Sequence, residues 1–180
     1  TLVNPGDEVI VITPAWPNYF GQIGMVGARM ICVPAREENG FIPDPDDIKA
    51  AITPKTKAII LNSPSNPTGA VIDKDTCKAL ADLLRERDIF IIADEIYSRL
   101  VYDDAGYTSI TSFDGIMEKT VYISGFSKMF AMTGWRLGYC CGPRELIQPI
   151  ARIHQYAMMC ASSPAQYAGI EALQHGIPDA

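Results

Sequence analysis

"KAIILNSPSNPTGAVIDKDTCKALADLLRERDIFIIADEIY", residues 57–97, is the stretch whose reading decides the fold. It opens on a continuously apolar run, "KAIILN" (57–62), and passes through a cluster of turn formers. It then enters a helical stretch, "KDTCKALADLLRERD" (74–88), and returns to a second apolar run, "IFIIAD" (89–94). A strand that is apolar without alternation suits a sheet covered on both faces, and Asp73 stands ready as the N-cap of the helix between. Strand, helix and strand in that order build an α/β sheet whose strands run mostly parallel.

The same alternation extends in both directions. Further strand signals are "EVIVIT" (8–13), "RMICVP" (29–34), "TVYIS" (120–124) and "RLGYCC" (136–141), with helical stretches at about 17–27 and at "PDDIKAAI" (45–52). The apolar runs should be buried. After "CGPREL" the pattern turns wholly helical, over 144–160 and 163–175, with "SSP" as the break and the second piece a candidate domain-linking helix. The expected fold is a three-layer α/β/α arrangement with a mostly parallel sheet, followed by long helices. There is no internal repeat and no low-complexity segment.

Composition excludes several classes of function. At 180 residues and 48% hydrophobic content, the chain can bury roughly 70% of its unfolded surface, enough for one core. A net charge of −6 gives no footprint for nucleic acid and no basic run for an anionic membrane. No apolar stretch reaches the roughly 18 to 20 residues of a membrane span, and no leader-like segment opens the chain, so a soluble protein is expected. The five cysteines (Cys32, Cys77, Cys140, Cys141, Cys160) are odd in number and lack metal spacing, which suits a reducing, cytoplasmic setting. A start at "TLVNPGDEV" and a stop at "HGIPDA" read as cut ends, so a piece of a longer chain is expected.

In sheets of this kind ligands gather outside the carboxyl ends of the strands, which directs attention to four tips: "PAWPNY", "SPSNPTG", "DEIY" and "SGFSK". Each has a plain and a functional reading. "NSPSNPTGAVI" (62–72) is a tight loop, or a frame that presents the Asn66 amide, with an Asn-Pro bond that can be cis. Asp94 caps a helix beginning at about Glu95, or is a buried acid awaiting a cationic or donor partner; a Walker-type acid pair is disfavoured because no GxxxxGK[ST] occurs. Tyr97 packs, or shares a neighbouring helical face with Asp94. Lys128 is a surface lysine, or an amine held where it can attack a carbonyl to form a Schiff base. Arg136 is a structural ion-pair partner, or a fork for a phosphate, and Trp16 is core or an aromatic shelf. Together these groups ask for one ligand with a ring, a phosphate and a carbonyl, and pyridoxal phosphate has a part for each.

At "NPTG" (66–69), "ADEIY" (93–97) and above all "SKMFAMTGWRLGY" (127–139), with "NPGDEV" (4–9) and the P-x-W-x-x-Y of 14–19 in support, the chain resembles the fold type I, class I pyridoxal-phosphate aminotransferases, the aspartate aminotransferase-like family. The intervals from Asn66 to Asp94 to Lys128 to Arg136, 28, 34 and 8 residues, resemble the family throughout. The resemblance implies that Lys128 forms the Schiff base with the cofactor aldehyde and moves the proton between substrate and cofactor. It implies that Asp94 binds the pyridine nitrogen, Asn66 and Tyr97 the phenolic oxygen, Arg136 and Ser127 the phosphate, and that Trp16 stacks on the ring. Gly125 departs from the serine that many members carry three residues before the lysine.

The implied activity is transfer of an amino group between an amino acid and a 2-oxo acid. The implied unit, 1–180, is the large pyridoxal-phosphate-binding domain of a homodimer, incomplete because the family's N-terminal phosphate-binding segment and C-terminal small domain are not in it. A carbon–sulfur β-lyase and the cofactor-sensing domain of a transcription regulator share the same constellation and stay open at this point. No metal is implied.

Overall fold

The computed structural model describes residues 1–103 and 105–180. Its centre is one sheet of six strands: β1 (Glu8–Thr13), β2 (Arg29–Pro34), β3 (Thr56–Asn62), β4 (Phe90–Asp94), β5 (Thr120–Gly125) and β6 (Gly138–Cys141), in the spatial order β2-β1-β3-β4-β5-β6. The first five are parallel and β6 runs antiparallel to β5. The winding reverses between β1 and β3, because the chain leaves β1 for the β2 edge and continues from β3 toward the opposite edge. At such a reversal the connections diverge and open a crevice beyond the carboxyl ends.

The apolar runs exist because both faces of the central strands are covered. Ile59 and Leu61 of β3 pack with Ile48 of α2 (Pro45–Ala51) and with Leu80, Ala81 and Leu84 of α3 (Lys74–Arg85). Ala58 and Ile60 face the other way, onto Tyr19 and Ile23 of α1 (Asn18–Met25). The period-2 geometry of a strand thus sends alternate apolar residues into two cores. In α3 the buried residues Cys77, Leu80, Ala81 and Leu84 fall at helical spacing, one stripe facing the sheet. Asp73 starts the helix, accepting the Thr76 N–H at 2.8 Å and its hydroxyl at 2.7 Å. At the other end the Lys119 ammonium donates to the carbonyls of Leu84, Arg85 and Arg87 at 3.2, 2.8 and 2.6 Å, closing groups that a helix C-terminus leaves open.

Three expectations need correction. Burial of the apolar runs fails at the sheet edges, where β2 buries only Val33 and β6 buries nothing, because an edge strand lacks the neighbour that would cover it. The segment "RLGYCC" is a strand only from Gly138 on; Arg136 sits before it in a left-handed conformation with φ of 53°. No helix begins at Glu95: residues 96–99 form turns, tied by Ser98 N–H to the Glu95 carbonyl at 3.0 Å and Leu100 N–H to the Tyr97 carbonyl at 2.8 Å. The terminal helices are present as α5 (Arg144–Ala157) and α6 (Ser163–His175), after a short α4 (Phe126–Met129) that periodicity does not reveal. Among the described residues no helix is long and apolar enough to cross a membrane.

Candidate active site

Four strand tips build one cleft. After β1 the loop carrying Trp16 turns into α1, and the Trp16 ring meets Tyr19 edge-on, centroids 5.5 Å apart and planes at 87°. Tyr19 is 5% exposed, and its hydroxyl donates to Oδ2 of Asp94 across 75 residues of sequence. Burial, then the neighbouring Asp94 charge, raises the Tyr19 pKa far above that of an ordinary phenol. The shift favours the protonated hydroxyl, which donates to the Asp94 carboxylate.

Beyond β3, the Asn66 N–H donates to Oδ1 of Asn62 at 2.8 Å, and the Asn66 amide reaches the Tyr97 hydroxyl at 3.5 Å. Asp94 closes β4, half-buried, with Oδ1 accepting the Ile96 N–H at 3.3 Å. It is the turn beginning at Ile96, not a helix, that brings Tyr97 beside Asn66. Beyond β5 the chain enters α4, which carries Ser127 and Lys128, and the Lys128 Nζ lies 5.6 Å from the Tyr97 ring centroid, within cation–π range.

Glycine at position 125 has a packing cause. Gly125 pairs with Gly138 across β5 and β6, and a Cβ on Gly125 would stand 2.9 Å from the Gly138 Cα and 3.1 Å from the Leu137 carbonyl. Bare backbone at both positions lets β6 lie against the strand that delivers Lys128. Arg136 then leaves the preceding turn in its left-handed conformation, one guanidinium N–H donating to the Thr133 carbonyl at 2.8 Å and the others with no partner among the described residues.

All seven residues singled out from sequence, Trp16, Asn66, Asp94, Tyr97, Ser127, Lys128 and Arg136, line a single open cleft of about 450 Å³. None lies elsewhere. Three further polar residues border it, Tyr19, Asn62 and Thr133, the last already bound through its carbonyl to Arg136. Tyr19 was visible only as the last letter of P-x-W-x-x-Y, and Asn62 only as the end of an apolar run; neither pattern signals a partner on another strand. Among the described residues no cluster of histidine, cysteine or carboxylate is arranged to hold a metal ion.

A reversed-winding α/β sheet brings an acid, an amide, a phenol, an amine and a guanidinium together beyond its carboxyl ends, a set whose charges and donors suit a compact anionic aromatic ligand. The donor set fits a ring with a basic nitrogen, a phenolic oxygen, an aldehyde and a phosphate. The family model for aminotransferase class I and II matches residues 1–177, and the chain belongs to that family, whose members use pyridoxal phosphate.

Similar proteins include the putative aminotransferase YugH of Bacillus subtilis, 46% identical over 99% of this chain and 46% of its own length. The probable aspartate/prephenate aminotransferase of Thermus aquaticus is 41% identical over 96% of this chain and 44% of its own. The crystal structure of an aromatic aminotransferase from Pyrococcus horikoshii superposes with a TM-score of 0.93 at 41% identity, covering 96% of this chain and 46% of that one. The chain spans about half the length of the curated relatives it matches.

Proposed function

We propose that residues 1–180 are the pyridoxal-phosphate-binding large domain, incomplete, of an aminotransferase that moves an amino group between an amino acid and a 2-oxo acid, with Lys128 as its Schiff-base lysine. One observation carries the reading: six side chains from four strand tips and Arg136 from the turn before β6 meet in one cleft, with the amine on α4 and the acid on β4. When bound, pyridoxal phosphate supplies an aldehyde and an electron-accepting ring.

The chain's own residues do the positioning and move the proton. Asp94, steadied by Tyr19 at one oxygen and the Ile96 N–H at the other, offers a carboxylate to the ring nitrogen and favours a proton there. Asn66 and Tyr97, already within reach of each other, donate to the phenolic oxygen. Arg136 and Ser127 hold the phosphate, the guanidinium through the donors that Thr133 leaves free. Trp16 would offer its indole face to the ring. Lys128 would hold the cofactor through its amine and serve as the base that moves a proton at the substrate's Cα.

The full protein is read as a homodimer. Phe20 and Met25 of α1 and Val26 just beyond it are exposed apolar residues, which a second copy could cover. That all five cysteines stand free supports a cytoplasmic setting. The deciding assay incubates the full-length protein and pyridoxal phosphate with single amino acids, with and without a 2-oxo acid acceptor. Acceptor-dependent formation of a new amino acid supports the aminotransferase. Acceptor-independent pyruvate release would mark a carbon–sulfur lyase, and cofactor binding without turnover of any amino acid would favour a sensing domain.

A further inference from the structure

The cleft depends on two backbone segments that arrive from different strands: the loop of residues 63–69 with Asn66, and the end of β4 with Asp94. One side chain touches both. Asn62, the last residue of β3, accepts the Asn66 N–H at Oδ1 (2.8 Å) and donates from Nδ2 to the Asp94 carbonyl (2.9 Å). These partners fix the orientation of the amide, since the N–H must meet its oxygen and the carbonyl its nitrogen. In the sheet register Asn62 lies directly across from Asp94, and the Ser63 N–H reaches the same carbonyl at 3.3 Å. The rest of the loop closes largely on itself, through Gly69 N–H to the Ser65 carbonyl at 2.8 Å and Ser65 N–H to the Ala70 carbonyl at 2.9 Å. The loop is thus a self-contained unit, and Asn62 joins its Asn66 end to β4.

We infer that Asn62 is a positioning residue for the cofactor site, setting the spacing between the group that serves the phenolic oxygen and the group that serves the ring nitrogen. The inference rests on the function proposed above. The carboxamide is needed because one short side chain must supply an acceptor to one backbone segment and a donor to the other. Aspartate lacks the donor, leucine lacks both, and glutamine is a methylene too long. Asn62 acts through Asn66 and Asp94 rather than on the cofactor.

The test uses the full-length protein and its Asn62→Ala and Asn62→Ser variants, with Lys128→Ala as reference. Three quantities are read: the thermal melt without cofactor, the dissociation constant of pyridoxal phosphate, and the pH midpoint of the visible band of the lysine-bound cofactor. Releasing Asn66 weakens donation to the phenolic anion, so the midpoint should rise by about half a unit, a measurable fraction of the 1.36 kcal/mol that one unit represents. Affinity should fall about tenfold in Asn62→Ala, equivalent to about 1.4 kcal/mol, and less in Asn62→Ser, whose hydroxyl reaches one partner at most. A lowered melt with parental affinity and midpoint would mean that Asn62 only stabilises the fold and would overturn the inference, as would parental values throughout. If Asn62→Ala does not fold, Asn62→Ser decides on the same criteria. A parent whose visible band is absent, or persists in Lys128→Ala, would instead count against the function proposed for the cleft.

Discussion

Replacing Gly125 by alanine is a severe test of how the structure delivers its lysine. The added methyl would sit 2.9 Å from the Gly138 Cα, 3.1 Å from the Leu137 carbonyl and 3.3 Å from the Ile96 Cδ1. The first two are backbone atoms, which cannot swing aside as a side-chain end can. Relief requires β6 to move off β5 by about half an ångström or more, and overpacking of this sort costs about 1–3 kcal/mol. For a cooperative unit of this size each kcal/mol corresponds to about 2–4 °C, so a 2 kcal/mol loss lowers the melting transition by about 4–8 °C.

Gly134 is the control. A Cβ there meets nothing within 4 Å, and alanine should leave the melt unchanged or raise it slightly by restricting the unfolded chain. Differential scanning calorimetry on the two variants and the parent makes the comparison. Cofactor retention should fall with Gly125→Ala as well, because β5 runs directly into α4 and Lys128. Equal melts for the two variants would refute the claim that Gly125 is glycine in order to admit β6.

Tyr19→Phe keeps the buried ring and removes the donor to Asp94; with Asp94 only half-buried, the lower end of the range for hydrogen bonds to charged groups applies, about 1.5 kcal/mol, or about tenfold in kcat/KM. Unchanged kinetics would remove Tyr19 from the site. Lys119→Met leaves three carbonyls at the end of α3 without their cation and should cost about 1 kcal/mol in a denaturant titration. Glu95 is 4% exposed and held by Tyr107 and by Ser109 at 2.8 Å. Burial raises its pKa despite those bonds. The folded state then holds the proton to higher pH than the unfolded chain does, so stability declines as pH rises from the ordinary carboxylate range through the raised value. Glu95→Gln, which cannot titrate, should lack that decline in melts compared across pH.

Much of this was legible in the sequence because the central strands are buried on both faces. "EVIVIT", "KAIILN" and "IFIIAD" announce themselves by apolar continuity, and Asp73 marks the start of α3 by residue type and position alone. The edges were harder to read, since β2 and β6 carry apolar residues without the cover that such residues suggest. The turns after Asp94 were obscured because "DEIY" suits a first helical turn as well as a turn ending in a loop, and only Asn66 across the cleft distinguishes the two. Site residues came through wherever a motif keeps chemistry-bearing side chains at fixed intervals. Tyr19 and Asn62 did not, for each acts on another strand's tip, and a contact spanning 75 or 32 residues leaves no periodicity. The match of Gly125 to Gly138 is likewise a register property of an antiparallel pair, invisible until the register is known.

The central claim is that the cleft binds pyridoxal phosphate through Lys128, and borohydride reduction followed by peptide mass mapping tests it most directly. The full-length protein is incubated with the cofactor, reduced to fix any carbon–nitrogen double bond, and digested. The account predicts one modified peptide, carrying the pyridoxyl group on Lys128, and none in Lys128→Ala. Modification of a different lysine, or of none in a protein that is folded and saturated with cofactor, would contradict it.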